Sequence, residues 1–158
     1  GEASLCLKYN MILEDIATKK DDEYVLVLED DVIFKQDPLE YINSLLAKCV
    51  TDNVDFDCIF MGEAALRVGD NRDVFFKKQH PATNGLCTVL YKVSSAKRIL
   101  NYIKIHKIDH ALDWYFNKVF EDLKFDVYWA KAITEHGSVS AVHNSALSGL
   151  KSSLRERY

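Results

Sequence analysis

Tyr24-Val25-Leu26-Val27-Leu28-Glu29-Asp30-Asp31-Val32-Ile33-Phe34 is the stretch on which the fold reading turns. Val25 to Leu28 is an apolar run too short for a membrane and suited to a strand buried on both faces. It stops at three carboxylates, Glu29, Asp30 and Asp31. A buried parallel strand delivers the residues after it to the carboxyl edge of its sheet, where open α/β folds bind ligands. Side chains alternate along extended chain, which would place Glu29 and Asp31 on one side and Asp30 on the other. Two carboxylates so placed are a hard-oxygen pair for Mg²⁺ or Mn²⁺. The plainer reading is a solvated acidic turn. Apolar residues on both sides favour a site, because packed like charges repel unless something positive sits among them.

The remaining composition narrows the classes. A chain of 158 residues is one domain with room for a core of its own. Twenty Lys+Arg against 24 Asp+Glu, a formal charge of −4, exclude a general attraction to nucleic acid or anionic lipid. No apolar stretch reaches the length of a membrane span. Cys6, Cys49, Cys58 and Cys87 lack C-x-x-C spacing and sit among apolar residues, so buried free thiols are expected. With no N-x-S/T acceptor, the chain leans toward a reducing, cytoplasmic compartment rather than the ER lumen. The start at Gly1-Glu2, without Met, is expected of a fragment of something longer.

Periodicity orders the elements. Leu5, Tyr9, Ile12, Leu13 and Ile16 form a helical stripe over 3–18, and residues 19–23 a polar turn into the first strand. Asp37-Pro38-Leu39-Glu40 is a helix start: Asp37 caps, Pro38 suits the first turn, and Glu40 can complete a capping box. That helix runs to about Cys49. Phe56 to Gly62 is a second short strand, with Glu63 directly after it, and Val74 to Lys78 a short edge strand. Asn84-Gly85 marks a turn into a strand over 87–93, after which Ser94 or Ser95 caps a helix. Asp109 caps the next helix, to Phe120, and 125–130 is the last strand. From Glu135 the chain turns irregular and polar. Strands alternating with helices define an α/β domain.

Several of these segments, in this order, resemble glycosyltransferase family 25, the lipooligosaccharide and procollagen galactosyltransferases. The opening Gly1-Glu2-Ala3-Ser4-Leu5-Cys6-Leu7-Lys8-Tyr9 lines up with the family's G-E-x-G-C-x-x-S-H. It departs at Ser4, Leu5 and Lys8-Tyr9, where the family has Gly, Cys and Ser-His. Leu28-Glu29-Asp30-Asp31-Val32 matches the family hallmark without a change. Phe56 to Gly62, Thr88 to Ala96, Ile108-Asp109 and the polar loop from Gly137 to Ser145 are similar to its later landmarks. The family's upstream strand and helix, which bind the nucleotide base, have no counterpart, so the likeness is to the carboxyl-terminal two-thirds or so of such a domain.

The resemblance implies a GT-A-like, Rossmann-like mixed sheet flanked by helices, and an inverting, metal-dependent hexosyltransferase. Such an enzyme moves a sugar, most often galactose, from a UDP-sugar to a hydroxyl of a glycan, lipooligosaccharide or hydroxylysine-type protein acceptor. Glu29 and Asp31, a DxD-like pair, would hold Mn²⁺ or Mg²⁺ against the departing diphosphate, with His143 as candidate third ligand ahead of His136. Asp30 would contact the ribose or steady a metal-bound carboxylate, and Glu63 would contact the donor sugar. The base that takes the acceptor's proton would be Asp109 or, one helical turn on, Asp113. Against these stand plain alternatives: Asp109 as a helix cap, Asp113 as a solvated helix residue, Glu63 as a strand end in water, His143 as a loop histidine. Trp114 and Tyr115 could stack on a sugar, although aromatics at helical spacing are more often core. Arg67 could steady a phosphate or simply face water. The rival readings are a non-catalytic module binding a glycan or nucleotide sugar, or serving structurally, and a metal-dependent enzyme acting on other phosphates.

Overall fold

The computed structural model describes residues 2–62, 76–77, 82–83, 85–106 and 108–136. Helix α1 (Glu2–Ile16) leads into β1 (Tyr24–Leu28), and a turn at Asp30-Asp31 into β2 (Val32–Phe34). Then come α2 (Pro38–Thr51), β3 (Cys58–Gly62), β4 (Phe76–Lys77), β5 (Thr88–Lys92), α3 (Val93–Ile105), α4 (Leu112–Asp122) and β6 (Val127–His136).

Local chemistry explains the clearest boundary. The Asp37 carboxylate accepts from the N–H of Leu39 at 2.8 Å and of Glu40 at 3.2 Å, and Pro38 opens α2. Two other caps differ from expectation. Lys92 and Ala111 precede α3 and α4, neither with a side-chain cap bond, so Ser94, Ser95 and Asp109 do not cap. Ser95 instead bonds Asp57, and Asp109 pairs with His110. The expected irregular stretch also begins later, because Glu135 and His136 belong to β6.

The strand order is β1-β5-β3-β6-β2, with β4 pairing β6 beside β2. Period-two alternation sorts the core onto the two faces. Cys58, Phe60, Val89, Tyr91, Val127 and Trp129 pack under α1, α3 and α4. Ile59, Met61, Leu90, Ala130 and Ile133 pack under α2, against Ile42, Leu45 and Cys49. Strand β3 is buried throughout. Two tight reversals, Asn53 and Lys124 at φ of 52° and 53°, come after α2 and α4.

This is not the open GT-A or Rossmann-like sheet expected from the sequence. Strand β1 lies at one end of the strand order, and its one described neighbour, β5, is antiparallel. Tyr24 and Leu28 are exposed and only Val27 is buried, so the strand is not covered on both faces. Strands β1 and β2 stand at opposite ends of the order, yet only residues 29–31 separate them. Five flat strands would hold their outer members roughly 19 Å apart, while four Cα steps reach roughly 14 Å at most. The sheet therefore curls until its ends approach, and nearly closes into a barrel. The result is a small α/β domain with, among the described residues, four helices and a nearly closed sheet.

Candidate functional site

One rim of the sheet collects the sequence's best candidates. Strands β1 and β3 both run antiparallel to β5, which lies between them, and β3 runs parallel to β6. The carboxyl ends of β1, β3 and β6 therefore share a rim with the start of β5. That rim carries Glu29–Asp31, Gly62, Cys87, Thr88 and Thr134. Helix α3 leaves the opposite end of β5, and α4 returns beside it, with Arg98 Nη2 donating to Leu123 O at 2.6 Å. Residues 108–111, with Asp109, consequently lie toward the carboxylate rim.

The extended chain on which the alternation reading rests stops short of the last two carboxylates. Glu29 leaves β1 half-buried, its N–H donating to Cys87 O at 3.0 Å. Asp30 and Asp31 are exposed residues of a turn, where the two-residue period of extended chain no longer applies. Burial, and then the Glu29 carboxylate, pushes the Cys87 thiol up. Burial likewise raises the Tyr9 phenol; the bond to Tyr91 at 3.3 Å offsets part of the rise, and the Glu29 charge adds to it. Glu29 thus makes itself felt in the core under α1.

The other candidates are dispersed. Asp109 is exposed, and the hydrogen bond from His110 Nδ1 at 2.6 Å holds its carboxyl below the usual range. Asp113 is half-buried in the first turn of α4, accepting from Trp114 N–H at 2.8 Å. Trp114 is exposed, whereas Tyr115 is core. Glu63, Arg67 and His143 lie outside the described residues, as does the polar loop from Gly137; His136 is described only as the last residue of β6.

The described residues do not bring together the ligands expected of a divalent-metal centre. Among the described residues no group of three His, Cys, Asp or Glu could hold an ion. The DxD-like manganese site and the GT-A galactosyltransferase assignment built on it are therefore withdrawn, together with the open sheet they required.

Three polar groups at or near the rim carried no recognised motif. Thr88 and Thr134 are fully buried, their Oγ1 atoms 2.6 Å apart. Asn117, buried in α4, accepts at Oδ1 from the N–H of Ala82 at 2.7 Å and of Thr83 at 2.9 Å, and donates through Nδ2 to Thr83 O. Trp129 Nε1 donates to Ala82 O at 2.8 Å. The signal available in sequence was a lone amide inside an otherwise apolar helix face.

The cysteines are free, with Cys49, Cys58 and Cys87 buried and Cys6 half-buried. Among the described residues no helix is long and apolar enough to cross a membrane. No protein-family model matches the chain, and no curated protein matches it either.

Proposed function

We propose that this chain transfers a sugar from a nucleotide-sugar donor to a hydroxyl acceptor, with the hydroxyls of the donor's ribose and sugar, rather than its diphosphate, against the Glu29–Asp31 turn. The observation that carries the reading is the placement of that turn. Three acidic residues stand where the ends of β1, β3 and β6 converge, on the side toward which residues 108–111 lie. In such a transfer the acceptor oxygen forms a bond to the anomeric carbon as the bond to the nucleoside diphosphate breaks. The diphosphate leaves with the electron pair, and a carboxylate takes the acceptor's proton. Asp109 is exposed and ionised for that role, with His110 beside it. Asp113 is the alternative, one turn into α4. A reducing, cytoplasmic setting suits a domain whose four cysteines are free.

A second reading is a non-catalytic glycan- or nucleotide-sugar-binding module. The lack of a three-ligand metal cluster among the described residues favours it, since a bound cation is one of the usual means of neutralising a leaving diphosphate.

Calorimetric titration with UDP and a panel of UDP-hexoses, with and without a divalent cation, tests the first reading against the Asp31→Asn variant. Saturable nucleotide binding that weakens in the variant, with UDP release on adding an acceptor, is expected. Binding without release supports the module. Absence of nucleotide binding alongside retention on immobilised glycans excludes the transferase.

A further inference from the structure

We propose that the Thr88–Thr134 hydroxyl pair is the positioning device of the carboxylate turn, a bridge across Gly62 that fixes the two legs on which Glu29, Asp30 and Asp31 stand. Its consequence for donor binding rests on the proposed transferase function; the geometry stands without it.

The incoming leg of the turn ends at Leu28, opposite Thr88 of β5, and Glu29 N–H extends the pairing onto Cys87 O at 3.0 Å. The outgoing leg, Val32 to Phe34, pairs with β6, and Phe34 lies opposite Thr134. Strands β5 and β6 are not neighbours, because β3 runs between them. Their hydroxyls nevertheless meet at 2.6 Å, fully buried. What lets them meet is Gly62, the last residue of β3 and the partner of Thr134. A Cβ at Gly62 would lie 2.3 Å from Cys87 Sγ and 3.3 Å from Thr88 Cβ. The central strand is bare beside Thr88, which faces Leu28 at the end of the incoming leg, and Thr134, which faces Phe34 at the far end of the outgoing leg, and the hydroxyls reach across it there.

A buried hydroxyl needs a partner wherever it lies, and either threonine could have found a backbone carbonyl on its own strand. Bonding across an intervening strand does something more. It ties the support of Leu28 to the support of Phe34, and the five residues between them, 29–33, pass a change of leg spacing to the carboxylates. Thr88 and Thr134 act through the turn, with no contact to substrate required of them.

Thr88→Val and Thr134→Val keep shape while removing the hydroxyl, and Thr134→Ser keeps the hydroxyl. Amide hydrogen exchange of the ligand-free protein, monitored by NMR, reads the turn directly. In each valine variant the Glu29 amide should exchange roughly three- to tenfold faster, the value of one net hydrogen bond, with α3 and α4 unchanged. The serine variant should restore the wild-type rate. An unchanged Glu29 amide overturns the proposal, and so does uniform acceleration of every protected amide, which is the mark of plain destabilisation. UDP titration of the same samples separates the two claims. Weaker binding in the valine variants, restored by serine, supports the positioning role, and equal binding in all variants overturns it. A wild-type chain that binds no nucleotide defeats the transferase reading, while the exchange rates still decide whether the bridge sets the turn.

Discussion

Asp57 and Arg98 meet at 3.0 Å at the foot of the sheet, the end opposite the carboxylate turn. The same carboxylate accepts from Ser95 Oγ and, through Oδ2, from the Asp126 N–H at 2.8 Å. Its backbone joins β3 to both neighbours: Asp57 N–H donates to Asp126 O, and Lys92 N–H to Asp57 O. Arg98 reaches on to Leu123 O and lies over the Phe125 ring, 4.5 Å from its centroid. One largely buried acid therefore fastens the start of α3, the end of α4 and the entries to β3 and β6.

Removing it should cost accordingly. Asp57→Ala is expected to lower unfolding stability by about 2–3 kcal/mol, since bonds to a charged group are lost and the Asp126 N–H is left buried without its acceptor. Arg98→Ala should cost less, about 1 kcal/mol, because the guanidinium is half-exposed. Urea midpoints at constant slope measure both. Equal losses would refute the assignment of Asp57 as the shared node.

Asn117 should be as sensitive, for a local reason. Its amide satisfies two N–H donors and one carbonyl of residues 82–83, all buried. Asn117→Leu, which keeps the branching but neither the donor nor the acceptor, should destabilise by about 3 kcal/mol. Asn117→Asp should do no better, because a carboxylate cannot donate to Thr83 O. Thermal denaturation distinguishes these outcomes from a tolerant surface position.

Gly62→Ala forces a methyl against the Cys87 sulfur and should cost about 1–3 kcal/mol. Removing the sulfur with Cys87→Ala should return a good part of that loss. A double-mutant cycle with coupling below about 0.5 kcal/mol would mean that the two residues do not press on each other.

The thiols predict both reactivity and pH response. Burial raises Cys49, Cys58 and Cys87, most of all Cys58, whereas Cys6 is half-buried in α1. A thiol-specific chromogenic reagent should therefore modify Cys6 first, with the other three reacting only as the chain opens. A folded-state pKa above the unfolded value means the folded chain holds its proton longer. That stability is complete below the unfolded pKa and is lost as pH climbs through the folded one. The melting temperature should therefore fall above pH about 9, and the Cys58→Ala variant should show a shallower alkaline decline.

What could be read from sequence was what neighbours in sequence decide. Asp37 and Pro38 announced α2 because the cap and its donors lie within three residues. Val25 to Leu28 announced a strand, but nothing in those residues says whether β1 stands at the centre or the margin of a sheet. That depends on β5, some sixty residues later, and it undid the open-sheet expectation. The alternation argument for Glu29 and Asp31 failed because the chain turns at Asp30 and Asp31. Ser95 suited a cap by position, yet Asp57 claimed its hydroxyl from another element. Thr88 and Thr134 look like ordinary strand threonines until the strands between and beside them are known.

The bare last residue of β3 also constrains how relatives of this chain can drift. A larger residue at position 62 meets the thiol at 87 first and the Thr88 side chain next, and Thr88 is in turn bonded to Thr134. Positions far apart in the gene should then change as a set, and a lineage that exchanges Gly62 alone should be rare. Covariation among 62, 87, 88 and 134 would be the inherited trace of that crowding.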